Sequence, residues 1–216
     1  MFIFEGVCHL LIIGICGGSG SGKTTVARIL ANSGAPCFDA DAVYRTLTDT
    51  RTPCVDELAD AFGEEIVTPE GALDRAKMAS LVFSDSAKAQ ENRTLLNEIT
   101  HRHVKREFFL WRESLKSKGC PLAVLDVPLL YESGMDQFCD AVIAVVAERP
   151  VRVARIVVRD GITRREAEAR MDAQLSDVEL CKRTPYVLDN SADTATLKTR
   201  LTAILQEIYL RKDIQP

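Results

Sequence analysis

An excess of positive charge is missing from this 216-residue sequence, in which 27 Lys and Arg stand against 31 Asp and Glu for a formal charge of −4. No global field therefore draws it to nucleic acid or to an anionic membrane surface, so any anion it handles is held by a local cluster of cations. Basic patches interleaved with aromatics are missing too, which argues against a nucleic-acid-binding module. The seven cysteines, at 8, 16, 37, 54, 120, 139 and 181, form no CxxC pair. Neither a zinc site nor a disulfide framework is supported. Small buried thiols in a reducing, cytoplasmic setting are the expectation. Long apolar runs are also lacking. The apolar start, MFIFEGVCHLLIIGIC, carries Glu5, has no basic flank or cleavage site, and falls short of the ~18 residues that span a bilayer. It reads as an eight-residue extension of unassigned role followed by a buried strand. There is no repeat, low-complexity tract or linker. The chain length and a composition 46% hydrophobic and 27% charged suit one globular domain. The sequence is silent on oligomeric state, and a monomer is slightly favoured.

What is present alternates between two periods. His9 to Cys16 is a continuous apolar, β-branched run, as expected of a strand covered on both faces of a parallel sheet. Lys23 to Asn32 reads as a helix stopped by Ser33-Gly34, and Pro36 to Asp39 as a short second strand. From Ala40 to about Phe62 the pattern is helical with a break near Pro53. Residues 86–116 carry an apolar stripe at helical spacing, in one long helix or two in series. Leu122 to Leu125, ending at Asp126, and Ala141 to Val146 are buried strands, Val187-Leu188 is a last one, and an amphipathic helix closes the chain. Strands alternating with helices predict an α/β fold with a mostly parallel sheet. The stretches at about 61–117 and 149–182 stand outside this alternation as helical insertions, leaving a core of about 9–60, 118–148 and 183–216.

Gly17-Gly18-Ser19-Gly20-Ser21-Gly22-Lys23-Thr24 fits GxxxxGK[ST], directly after an apolar strand and directly before a helix. Glycines let the backbone fold into a nest of inward N–H groups that cradle a phosphate, at the positive end of the helix. Lys23 supplies a mobile ammonium for β and γ phosphates, and Thr24 a hydroxyl for Mg²⁺. A nucleoside triphosphate site follows.

Downstream carboxylates suggest what receives the phosphoryl group. Asp39-Ala40-Asp41 lies where the second strand gives way to helix, beyond the carboxyl end of a strand, where ligands of parallel sheets sit. One Asp there can cap the helix, while the other accepts the proton of an attacking hydroxyl. Asp126 ends its strand in the position that organises Mg²⁺, with Pro128 stiffening the turn. Glu132 reads equally as a site group or a solvated one. Arg149, Arg152, Arg155 and Arg159 recur at steps of three, three and four, sharing one side of a helix broken by Gly161. Arg155 and Arg159 are taken as phosphate-binding, the others as mostly surface, in a lid that excludes water.

These residues resemble the dephospho-coenzyme A kinase family of P-loop kinases over about 11–205. The resemblance rests on CGGSGSGKTTVA at 16–27, FDADAVYR at 38–45, LDR at 73–75, LVF at 81–83, LDVPLLYESG at 125–134, VRDGITRREAEARMDAQ at 158–174 and LDNS at 188–191. It implies a P-loop NTPase-like parallel sheet core, a helical acceptor-binding insertion and an Arg-rich helical lid. It also implies transfer of phosphate from ATP, with Mg²⁺, to the ribose 3′-hydroxyl of dephospho-coenzyme A. On matching positions Asp41 is the base, Lys23 and Arg159 stabilise the moving phosphoryl, and Thr24 and Asp126 serve the metal. Residues 17–24, Thr25, Arg155 and Asn190 hold ATP, with Asn190 against the adenine. Asp39, Arg75, His101, Asp126, Pro128, Leu129 and Leu130 serve the acceptor. The chain departs from the family at His101-Arg102, where family members often have His-Pro and the helix here is free to continue. It departs again at Thr184-Pro185. A nucleoside or nucleoside-monophosphate kinase shares the loop and an Arg-rich lid, and is the nearest alternative. A regulatory nucleotide switch usually needs an Asn-Lys-x-Asp segment, which is absent.

Overall fold

The computed structural model describes residues 10–83, 86–128 and 130–212. The N-terminal extension, His9 at the start of the expected first strand, and Leu129 lie outside the described residues. Packing divides the chain into two compact units, one made of the residues up to Phe38 and from Lys116 onward, the other of Asp39–Leu115.

The first unit is built on five strands, β1 (Leu11–Cys16), β2 (Cys37–Asp39), β3 (Leu122–Asp126), β4 (Ala141–Val146) and β5 (Tyr186–Asp189), in the order β2-β3-β1-β4-β5. Every residue of β1 is buried, as its unbroken apolar run requires of a central strand. Its pairings with β3 and β4 are parallel, and so is that of β4 with β5; Ile15 stands opposite Asp126, Cys16 opposite Ala144 and Val146 opposite Asp189. The carboxyl ends of these strands therefore meet at one edge. The chain leaves β1 on one side for β2 and β3 and on the other for β4 and β5, which puts the segment after β1 at the topological switch point. α1 (Lys23–Asn32) and α9 (Thr194–Arg211) bury Val26, Leu30, Leu197, Leu201 and Ile208 against the strands.

The Arg-rich stretch forms three helices, α6 (Arg149–Asp160), α7 (Arg164–Asp172) and α8 (Asp177–Arg183). Gly161 ends α6 in the left-handed conformation, at the break its sequence suggests. Thr163 and Glu166 close a reciprocal capping box at the start of α7, and Ser176 caps α8. Val153 and Ile156 of α6 pack on Ala167 and Met171 of α7.

In the second unit α2 (Ala40–Thr48), α3 (Pro53–Phe62), α4 (Arg75–Val82) and α5 (Ala87–Ser117) enclose Cys54, Leu58, Ile66, Leu73, Met78, Val82 and Ile99. α5 is one helix and runs unbroken through His101-Arg102, as the absence of Pro there allows. Burial pushes the Cys54 thiol up to about 11, and that of Cys16 in β1 likewise to about 11, so both stay protonated at neutral pH. Among the described residues no helix is long and apolar enough to cross a membrane.

Candidate active site

The loop from Gly17 to Thr24 joins β1 to α1. Gly22 enters α1 at φ 99°, and a Cβ built on it would lie 2.0 Å from Nδ2 of Asn190, so both its conformation and its surroundings require glycine. Asn190 is buried and donates through that nitrogen to the Ser21 carbonyl at 2.7 Å. Arg155 donates through Nη1 to the Gly20 carbonyl at 3.3 Å and through Nη2 to the Asn190 carbonyl at 2.9 Å. Arg152 donates from Nε to the Ser19 carbonyl at 2.8 Å, while the Ser19 N–H is taken by Oε1 of Gln174 at 2.7 Å. The Lys23 ammonium folds over the loop onto the carbonyls of Gly17 at 2.6 Å and Gly18 at 3.3 Å. Burial holds the Lys23 pKa below its ordinary value; the Asp126 carboxylate opposes this, and Arg152 and Arg159 add to it. The hydroxyl of Ser21, fully buried, has no hydrogen-bond partner among the described residues.

Thr24 is exposed at the start of α1, and Asp126 is half-buried at the end of β3. Among the described residues no cluster of three or more His, Cys, Asp or Glu is placed to hold a metal. A Mg²⁺ bound mainly by phosphate oxygens and water needs only one or two protein oxygens, and the Thr24 hydroxyl and Asp126 carboxylate fit that donor set. Arg159 is exposed and forked onto its neighbour Asp160, Nε to Oδ1 at 2.6 Å and Nη2 to Oδ2 at 2.8 Å. Pro128 is exposed, Leu130 buried and Glu132 exposed. Beyond the ends of β4 and β5 lies a cleft of about 570 Å³ bounded by Val146, Ala147, Asp177, Val178, Cys181 and Ser191.

In the second unit Asp39 is the N-cap of α2 and accepts the Ala42 N–H at 3.0 Å, the capping role open to it from the sequence. Asp41 stands exposed in the first turn of α2, with no hydrogen bond or ion pair among the described residues. Arg75 donates from Nη2 to Asp49 at 2.7 Å and to Thr48 Oγ1 at 3.2 Å, beside the ring of Tyr44. His101 lines a groove of about 780 Å³ on α5 with Arg102, Lys105, Arg106 and Phe109. Partial desolvation and the Lys105 charge hold its pKa below the ordinary value.

Two residues that brace the loop were not anticipated. Arg152 was expected at the surface, yet it is 5% exposed. Position 152 falls four residues before buried Ile156, on the inward stripe of α6, and that spacing was the available signal. Gln174 has no local signal, since its partner lies 155 residues away.

A glycine nest between the central parallel strand and a helix, with a lysine at its lip, defines the class of phosphate-loop nucleotide-binding proteins. The family model of dephospho-CoA kinase matches residues 11–196. The chain is 38% identical over 197 residues to the dephospho-CoA kinase of Anaeromyxobacter dehalogenans, covering 91% of this chain and 92% of the relative. It is 36% identical over 202 residues to that of Corynebacterium glutamicum, covering 94% and 99%. The crystal structure of TT1252 from Thermus thermophilus superposes with a TM-score of 0.75 at 37% identity, over 92% of this chain and 98% of that one. The dephospho-CoA kinase of Campylobacter jejuni shares the fold, with a TM-score of 0.61 at 20% identity over 92% and 97%. The chain belongs to the dephospho-CoA kinase family.

Proposed function

We infer that this chain transfers the γ-phosphoryl group of ATP to the ribose 3′-hydroxyl of dephospho-coenzyme A, giving coenzyme A and ADP, the last step in making that cofactor. The family match over 11–196, which includes the complete phosphate loop, carries this reading. In it the loop amides and the Lys23 ammonium receive the phosphates, and Arg155 and Asn190 keep the loop in shape, with Asn190 also against the adenine. Mg²⁺, when bound by Thr24 and Asp126 together with phosphate oxygens, neutralises charge on the donor.

Asp41 takes the proton from the 3′-hydroxyl as its oxygen forms a bond to the γ-phosphorus and the bond from that phosphorus to the β–γ bridging oxygen breaks. ADP departs with the electron pair of the broken bond. An exposed carboxylate without a partner suits this role, since nothing competes for the incoming proton. Lys23 holds developing charge on the transferring group. Arg159 joins it by exchanging Asp160 for a phosphoryl oxygen as the 149–182 lid excludes water. Asp39, Arg75, His101, Asp126, Pro128, Leu129 and Leu130 shape the acceptor side.

The test is purified protein with MgATP and dephospho-coenzyme A, beside a panel of nucleosides and nucleoside monophosphates. ADP and 3′-phosphorylated product should form in equal amounts with dephospho-coenzyme A alone. Turnover of a panel compound in its place would refute the assignment.

A further inference from the structure

The phosphate-loop pattern requires glycine at its first and sixth positions, which are Gly17 and Gly22 here; the residues at Gly18 and Gly20 are free in it. The structure supplies a different reason for these two. A Cβ on Gly18 would lie 2.1 Å from Nη2 and 3.0 Å from Cζ of Arg152, and one on Gly20 would meet the Arg152 carbonyl oxygen at 2.7 Å. The guanidinium lies on the bare Cα of Gly18, where a Cβ would force it to shift.

Among the described residues Arg152 is the one Lys, Arg, Asp or Glu in the buried class, and a buried cation is costly unless its N–H groups are met. Two edges of the fork are met: Nε by the Ser19 carbonyl at 2.8 Å, and Nη1 by Oδ1 of Asp177, in the first turn of α8, at 2.8 Å. Because the peptide bond is planar and trans, fixing the Ser19 carbonyl on Arg152 turns the Gly20 N–H to the opposite side of the loop. Exposed Arg159, by contrast, is held among the described residues by its neighbour Asp160.

We propose that Arg152 is a positioning residue for phosphoryl transfer, setting the Ser19–Gly20 peptide of the phosphate loop so that its amide is aimed before the nucleotide arrives. This rests on the reading of that loop as the ATP site. Arg152 acts through the backbone it holds, and Gly18 is glycine to admit it. Such a residue serves ground state and transition state alike, so its loss weakens ATP binding more than it slows the bound complex.

A double-mutant cycle tests the dependence, with MgATP affinity measured by calorimetry and kcat by ADP release. Arg152→Ala and Gly18→Ala are each expected to weaken MgATP binding about tenfold, with the double variant no more than about twofold worse than Arg152→Ala alone. In each, kcat stays within about threefold of the parent. Asp177→Asn, which loosens the guanidinium without touching the loop, is expected to weaken binding about threefold and guards against a single variant that fails to fold. The proposal is overturned if the two losses multiply, if Arg152→Ala lowers kcat at unchanged affinity, or if it lowers only the melting temperature. Failure of the parent protein to bind MgATP would instead overturn the reading of the site.

Discussion

The two units keep their polar groups in different ways. Around the phosphate loop, backbone carbonyls of Gly17, Ser19, Gly20 and Ser21 are each held by a side chain, and three of those side chains come from residues 152 to 190. In the Asp39–Leu115 unit, Asp39 caps its own helix α2 and Arg75 at the start of α4 is held by Thr48 and Asp49 at the end of α2, while Asp41 and His101 stand exposed. The contrast separates two tasks. A polyanion is best met by donors fixed in advance, whereas a proton acceptor works only while its lone pairs are uncommitted.

Asp41→Asn puts that contrast to its largest test. It should lower kcat by about 10²–10⁴-fold while leaving MgATP affinity within about twofold, as measured by steady-state kinetics and calorimetry. A matching loss of both would put Asp41 among the binding groups and erase the distinction. Next in size, Leu58→Ala removes a fully buried side chain from the interior of the helical unit. Urea unfolding should show about 2–5 kcal/mol of lost stability, with MgATP affinity below the transition unchanged.

The smallest effect concerns Asp160. Its hydrogen bonds from Arg159, and the Arg159 and Arg170 charges, hold its carboxyl below the ordinary value of 3.8. A depressed carboxylate stabilises the fold above the unfolded value, and that contribution is lost as pH falls through the lower folded one. Hydrogen exchange in α7 should therefore accelerate below about pH 4 sooner than in β1, and Asp160→Asn should remove the difference.

Much of this arrangement is legible along the chain, for reasons that differ by element. LIIGIC and AVIAVV lie on interior strands, so their apolar runs announce them. β5 reads short, as Val187-Leu188, because it is an edge strand with Val187 39% exposed, and its alternation leaves little apolar signal at its ends. Lys23 and Thr24 are legible because the loop chemistry fixes their spacing. Arg152 is not, because charge predicts exposure and only the tertiary partners Ser19 and Asp177 reverse it. Asp39 caps α2 in one of the two roles its position suggested.

The loop's supports also order events in time. Ser19 and Ser21 are braced by side chains 133 and 169 residues further along. A ribosome that has delivered only β1 through β4 has therefore made the complete motif without the means to hold it. Competence to capture nucleotide arrives only when the strand that leads into Asn190 joins the sheet, well after the signature that advertises it has been translated.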